Sequence, residues 1–225
     1  MLQKITEKII NGYHLNRDTD LDLLLTAELP ELLKAADRIR IHFCGSDGEL
    51  CTIINGKSGR CSEDCKFCAQ SSHYPSKPTA YDFLSEETIL KNALTLETKG
   101  ITRYSIVTAG RKLSPEELTY VCRCYSLLAS ATELNLCASH GLLEDKDFLA
   151  LKACGVSRYH ANLDTSRRNF PNICTTHTYD QKLQCIQSAK AAGLEVCSGG
   201  ILGMSEPIYD RIDMAFDLQE LQVDS

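Results

Sequence analysis

The sequence has no apolar run approaching the roughly 20 residues that a membrane-spanning helix needs. It also has no stripe of lysine and arginine. The net charge is −6, and a broad nucleic-acid footprint needs concentrated positive charge. Membrane and nucleic acid are therefore both set aside as partners. The opening stretch, MLQKITEKII, is charged and amphipathic and lacks a small-residue cleavage site. No signal peptide is read there, and a cytoplasmic location is the default. No internal repeat or low-complexity tract breaks the 225 residues, of which 43% are hydrophobic. That is enough for one large domain or two small ones around a sizeable core.

Cysteine is abundant by contrast, with 12 in all. In a small secreted protein this would be a disulfide framework. In a longer chain without an export signal, clustered cysteines point to metal binding or redox chemistry. The densest group lies in GRCSEDCKFCAQSS, residues 59–72, where Cys61, Cys65 and Cys68 are spaced C-x3-C-x2-C. A nearby fourth cysteine is what this stretch lacks. A structural zinc site wants four ligands, commonly as two CxxC pairs, and only one CxxC is present. Iron–sulfur clusters also usually take four cysteines. Three thiolates leave one iron open to bind something else.

The rest of the chain reads as an N-terminal helical extension, 1–40, followed by an α/β core, 41–225. Residues 2–12 and about 19–38 have helical spacing, with Pro30 as a break. Beyond them, strand patterns at 49–54, 103–108, 132–137, 156–161 and 194–201 alternate with helical ones. The helical patterns lie near 86–99, 115–129, 145–154, 179–192 and 208–221. Ser114 with Glu117, and Thr178 with Gln181, predict capping boxes. Gly100, Gly155 and Gly193 follow helical runs, where a left-handed residue is wanted. Five such βα units predict parallel strands. An eight-stranded barrel takes about 250 residues by itself. The alternation is thus equally that of an open sheet or of a barrel cut short after its fifth helix.

The stretch C-x3-C-x-aromatic-C, with Phe67 as the aromatic, resembles the signature of the radical S-adenosylmethionine (radical SAM) enzymes. The resemblance extends to the biotin synthase family over roughly residues 40–220. It rests on NGKSGRCSEDCKFCAQSS, YHANLDTS (159–166), SRRNFPNICTT, TTHTYDQKL and EVCSGGILGMSE (195–206). It implies a radical SAM TIM-type (β/α) barrel. Cys61, Cys65 and Cys68 would hold a [4Fe–4S] cluster whose fourth iron chelates S-adenosylmethionine, with Phe67 near the adenine. Electron transfer would release a 5′-deoxyadenosyl radical that abstracts hydrogen, and sulfur would be inserted into dethiobiotin in the last step of biotin biosynthesis. By the same resemblance Asp164 binds the ribose hydroxyls, and Asn162 stands between cofactor and substrate. Gly199 and Gly200 would let the backbone approach the adenine side. Cys137 and Cys197 would hold an auxiliary cluster, [2Fe–2S] or a variant. A homodimer and a low-potential electron donor such as flavodoxin or ferredoxin are also implied.

The sequence departs from the family pattern in places. Ser105 stands where the auxiliary cluster usually has a cysteine, and the usual late-strand arginine ligand lies beyond the end of this chain. His160 and Ala161 stand where the family often has Asn and His. Cys44 and Cys51 are candidates to compensate, with Cys51 equally a strand filler. Cys122, Cys124, Cys154, Cys174 and Cys185 are read as non-ligands. Two alternatives follow from these departures: a radical SAM relative without sulfur transfer, and an inactive truncated fragment. A simple electron carrier is disfavoured, since a carrier needs no S-adenosylmethionine pocket.

Overall fold

A computed structural model describes residues 1–225, which divide into two compact units, Met1–Gly48 and Glu49–Ser225. The first holds three helices: α1 (Leu2–Ile10), α2 (Arg17–Thr26) and α3 (Leu29–Cys44). The Asn16 side chain caps α2 by accepting from the Asp18 N–H. The helical pattern at 19–38 is thus two helices. Pro30 lies in the first turn of α3, where its missing N–H has no partner to lose.

The second unit starts with strand β1 (Cys51–Lys57) and runs through α4 (Glu86–Glu97), β2 (Arg103–Thr108), α5 (Pro115–Ala131) and β3 (Asn135–Ser139). It continues with α6 (Asp145–Ala153), β4 (Val156–His160), α7 (Phe170–Ile173), α8 (Tyr179–Ala191), β5 (Glu195–Cys197) and α9 (Ile208–Leu221). Both predicted capping boxes form, at the starts of α5 and α8. Gly100, Gly155 and Gly193 all have positive φ. The short α7 has no counterpart in the sequence pattern, because four residues carry no helical period.

All five strands are parallel, in the order β1-β2-β3-β4-β5. A doubly wound sheet must reverse its strand order at a switch point. Here each strand simply joins the one before it, as in a (β/α) barrel wall, and this resolves the choice left open by the alternation. Strand alternation divides the side chains. Tyr104, Ile106, Leu136, Ala138, Tyr159 and Val196 pack under the helices and are buried. Phe148 of α6 meets Tyr159 edge-on at 4.8 Å between ring centroids. The other face carries Cys51, Ser105, Cys137 and Cys197 at alternating positions of their strands. Near the amino ends of the strands, Arg103 and Arg158 both reach Glu49, at 3.0 and 2.9 Å.

His140, just past β3, ties three elements together in the core. The Tyr125 hydroxyl of α5 donates to the Cys137 carbonyl at 3.1 Å. His140 Nε2–H therefore donates to the Tyr125 oxygen at 3.0 Å, and Nδ1 accepts from the Thr108 hydroxyl at 2.9 Å. Burial pushes His140 down to about 3, so the folded protein keeps it neutral. Unfolded, it takes a proton near its ordinary pKa of about 6.5. Between those values the unfolded state binds more protons, so stability is full above about 6.5 and falls as the pH falls through the window. At about 1.4 kcal/mol per pH unit, roughly 3 kcal/mol is lost by pH 4.5. Urea unfolding at pH 7 and pH 4.5 checks this: the loss is expected to shrink by most of that amount in His140→Gln, and an unchanged loss would contradict the assignment.

Candidate functional site

The cysteine loop leaves β1 and is held by hydrogen bonds at both ends. The Gly59 N–H donates to Gln70 Oε1 at 2.5 Å, and the Cys61 N–H to the Gln70 carbonyl at 3.0 Å. The Ser72 N–H donates back to the Cys61 carbonyl at 2.9 Å. Within the loop, the Cys68 N–H donates to the Cys65 carbonyl at 3.0 Å, which closes a turn and brings these two residues to the same side. Two carboxylates tie the loop to the segment between α7 and α8. Asp64 accepts from the N–H and hydroxyl of Thr175, at 2.8 and 2.5 Å, and from the Thr176 N–H at 3.2 Å. These donors, Thr175 foremost, hold its carboxyl well below the usual range. Glu63 accepts from His177 Nδ1 at 2.6 Å and from the Thr176 hydroxyl at 2.9 Å. Burial pushes Glu63 up, but these bonds outweigh it and leave it ionised.

The loop forms one wall of a cavity of about 330 Å³ at the carboxyl ends of the strands, where active sites of (β/α) barrels lie. Cys61, Cys65, Cys68, Phe67, Asn162 and Asp164 all line it. These three are the cysteines of the cavity lining, a donor set that fits an iron–sulfur cluster with one open iron; Cys174, though near Cys65, lies outside that lining. Asn162 and Asp164 reach the cavity from the segment that follows β4. Strand β4 ends at His160, and Asp164 has φ 70°, a left-handed conformation uncommon outside glycine. Its backbone is fixed by the segment after β5: its N–H donates to the Gly199 carbonyl at 3.1 Å, and its carbonyl accepts from Ile201 at 2.8 Å. Lys182 of α8 meets the Asp164 carboxylate at 2.8 Å, with side chains only 16% and 6% exposed. Burial pushes the ammonium down, but Asp164 outweighs it and keeps Lys182 above its ordinary value.

A second group of thiols lies elsewhere on the strands' inner face, outside the cavity lining. Cys137 is buried, and burial pushes its thiol up to about 11. Cys51 and Cys197 are close enough to Cys137 to interact with it electrostatically. Ser105 pairs with Cys137 in the sheet register, and its hydroxyl is buried without a hydrogen-bond partner. It lies close enough to the Cys137 thiol to work against the burial shift. An orphaned hydroxyl among three thiols fits a missing electrophile such as iron. His160, on the cavity wall, places Nδ1 3.3 Å from Cys197 Sγ and lowers that thiol's pKa. His160 thus links the cavity to the second group. Cys44 lies in the first unit and is exposed.

Gly199 and Gly200 lie outside the cavity wall. A Cβ on Gly200 would come within 2.0 Å of the Met214 sulfur, so this glycine admits α9. Gly141 is the glycine that shapes the wall: with φ 77°, a Cβ there would stand 2.1 Å from the Arg111 carbonyl. The carboxylate of Glu206 folds back onto the N–H groups of Gly203 and Met204 and is held below its ordinary pKa, to about 2. It organises its own loop. In the sequence analysis no role is named for Glu63, His177 or Lys182, and Cys174 is set aside as a non-ligand. Cys174 Sγ lies 3.7 Å from Cys65 Sγ and 3.3 Å from His177 Nδ1. The C-x2-H spacing of Cys174 and His177 was the available signal. Of the other cysteines set aside, Cys122 on α5 interacts with Cys154, while Cys124 and Cys185 are buried.

Residues 55–218 match the Radical SAM superfamily. The chain is 52% identical over 222 residues to the biotin synthase of Clostridium beijerinckii, covering 99% of this chain and 70% of that protein. It is 51% identical over 225 residues to the biotin synthase of Akkermansia muciniphila, covering 100% and 70%. Among solved structures it resembles methylornithine synthase, with a TM-score of 0.82 at 20% identity, over 97% of this chain and 65% of that one. HydG, a maturase of the [FeFe]-hydrogenase, gives 0.80 at 19%, over 97% and 51%. These two show the fold alone. No helix is long and apolar enough to cross a membrane.

Removing Lys182 leaves the Asp164 carboxylate buried and unpaired. Lys182→Met is expected to cost about 3 kcal/mol in denaturant unfolding, the lower end for breaking a buried pair. A loss below about 1 kcal/mol, the worth of a surface pair, would show that the two are solvated.

Proposed function

The chain belongs to the Radical SAM superfamily and, within it, to the biotin synthases, and on that premise we propose how its own residues serve the conversion of dethiobiotin to biotin. The observation that carries the proposal is the single cavity at the strands' carboxyl ends, where Cys61, Cys65, Cys68, Asn162 and Asp164 meet. Cys61, Cys65 and Cys68 hold the [4Fe–4S] cluster and leave one iron for S-adenosylmethionine. Bound there, the cluster and S-adenosylmethionine supply the hydrogen-abstracting radical, and an auxiliary iron–sulfur cluster supplies the sulfur. Asp164, fixed by Lys182, accepts from the ribose hydroxyls. Asn162 offers both a donor and an acceptor, which suits the ureido ring of the substrate as well as the cofactor. Phe67 stands at the adenine. Val107, Ala109, Leu142 and Ala161 supply apolar wall that keeps water from the reacting centre.

Cys137 and Cys197 are the auxiliary ligands in this proposal, with Cys51 and Ser105 beside them. The cluster is [2Fe–2S] or a variant of it. The serine oxygen is a harder and poorer donor to iron than a thiolate. Cys51 therefore takes the larger part and compensates for the cysteine that Ser105 replaces. Gly199 and Gly200 act through the backbone, by fixing Asp164 and admitting α9. The reaction needs a low-potential reductant, for which flavodoxin or ferredoxin is proposed, and the enzyme is proposed to work in the cytoplasm as a homodimer.

Anaerobic turnover with dethiobiotin separates the two thiol groups. Cys68→Ala is expected to abolish both 5′-deoxyadenosine and biotin. Cys137→Ala is expected to abolish biotin while 5′-deoxyadenosine still forms. Biotin formation by Cys137→Ala at the unsubstituted rate would contradict the auxiliary assignment.

A further inference from the structure

Cys174 has no part in the proposed reaction, yet it touches a residue that does. Cys65 and Cys174 stand 109 residues apart in sequence, and their Sγ atoms lie 3.7 Å from each other. The two backbones are joined at the same point. The Lys66 N–H donates to the Ile173 carbonyl at 3.1 Å, so the peptide group after Cys65 is bonded to the one before Cys174. Both peptide groups are trans, which sets the Cys65 Cα beside that N–H and the Cys174 Cα beside that carbonyl oxygen. Standard peptide dimensions then place the two Cα atoms roughly 4–6.5 Å apart. A disulfide spans about 4.4–6.8 Å between Cα atoms. The sulfurs already face each other, so closing the bond needs a side-chain rotation and no backbone movement.

The two thiols differ in access. Cys65 is half-buried and lines the cavity, whereas Cys174 is buried. The Cys174 thiol donates to Asp64 Oδ1 at 3.2 Å, and Asp64 is itself held by the N–H groups of Thr175 and Thr176. The buried sulfur is thus fixed beside Cys65. A small oxidant entering the cavity meets Cys65 first, and Cys174 is placed to resolve the product.

We propose that the chain without its iron–sulfur cluster closes a reversible disulfide between Cys65 and Cys174, which keeps the cluster out until it is reduced. The oxidant is a low-molecular-weight disulfide of the glutathione class. The Cys65 sulfur attacks it and forms a mixed disulfide, and one glutathione leaves as a thiol. The Cys174 sulfur then attacks the Cys65 sulfur, and the second glutathione leaves. Two cysteine thiols are oxidised, one glutathione disulfide is reduced to two thiols, and the two cysteine protons leave with them. The bridge itself needs nothing from the reading of the reaction. Only the exclusion of the [4Fe–4S] cluster rests on that reading, since a bridged Cys65 has no thiolate for iron.

The test treats the full chain, free of cluster, with oxidised glutathione under anaerobic conditions. It is read at equilibrium, because burial pushes the Cys65 thiol up and slows its attack. Free thiols are then alkylated and the digest is read by mass spectrometry. A linked pair of peptides carrying Cys65 and Cys174 is expected, and dithiothreitol is expected to abolish it. Cys68→Ala should keep the linked pair, since it removes neither sulfur of the bridge. In Cys174→Ala, Cys65 should remain a free thiol or a mixed disulfide with glutathione. Cys65 joined to Cys61 or Cys68 in the unsubstituted chain, or left unlinked, overturns the bridge. Should Cys174→Ala fail to fold, by its circular dichroism spectrum, the unsubstituted chain and Cys68→Ala still decide. Loading the chain with iron and sulfide before oxidation is expected to lower the linked pair by about 10-fold or more, since cluster thiolates are bound to iron. An undiminished yield overturns the exclusion alone.

Discussion

Two adjacent carboxylates, Glu63 and Asp64, fix where the cysteine loop lies, and the site depends on that placement. Asp64 collects two backbone N–H groups and a hydroxyl from Thr175 and Thr176. Glu63 holds His177 and the Thr176 hydroxyl, and its carboxylate lies 3.3 Å from Arg111 Nη1. Charge-assisted hydrogen bonds of this kind are among the stronger polar contacts in a protein. Between them the two residues pin the middle of the loop to a segment more than a hundred residues away in sequence. Without that tie, C-x3-C-x2-C would be three thiols on a surface loop. With it, they share a wall with Asn162 and Asp164.

The strand order supplies the rest of the geometry. Because every strand is parallel to the last, all the loops that follow strands open at the same mouth. The loop after β1 brings the thiols, and the segment after β4 brings Asn162 and Asp164. The segment after β5 clamps Asp164 in its left-handed conformation through the Gly199 carbonyl and the Ile201 N–H. Strain of that sort persists only where neighbours over-determine it. Here the Lys182 ion pair and the β5 segment do so together.

Much of this was legible in the sequence. Strand β2 and helix α9 were bounded to the residue, and both capping boxes form, because Ser114-Pro115 and Thr178 carry local hydrogen-bonding chemistry that needs no tertiary partner. Strand β5 was drawn at 194–201 and spans only Glu195–Cys197. The apolar pattern there continues into a loop that pairs with Asp164 and not with a neighbouring strand. The cluster cysteines were visible as a spacing. The ties of Cys174 and His177 to the cysteine loop, and of Lys182 to Asp164, were not, since each joins separate elements and carries no local period. The room that Gly200 leaves for the Met214 sulfur was not legible either, since it joins separate elements.

The central claim is that Cys61, Cys65 and Cys68 hold a cluster with one iron open in a cavity shaped for S-adenosylmethionine. The most direct measurement is the electron paramagnetic resonance spectrum of the chain, reconstituted with iron and sulfide without oxygen and then reduced, with and without S-adenosylmethionine. The account predicts a reduced-cluster signal that changes shape when the cofactor is added. A signal indifferent to the cofactor, or no cluster at all, would contradict it.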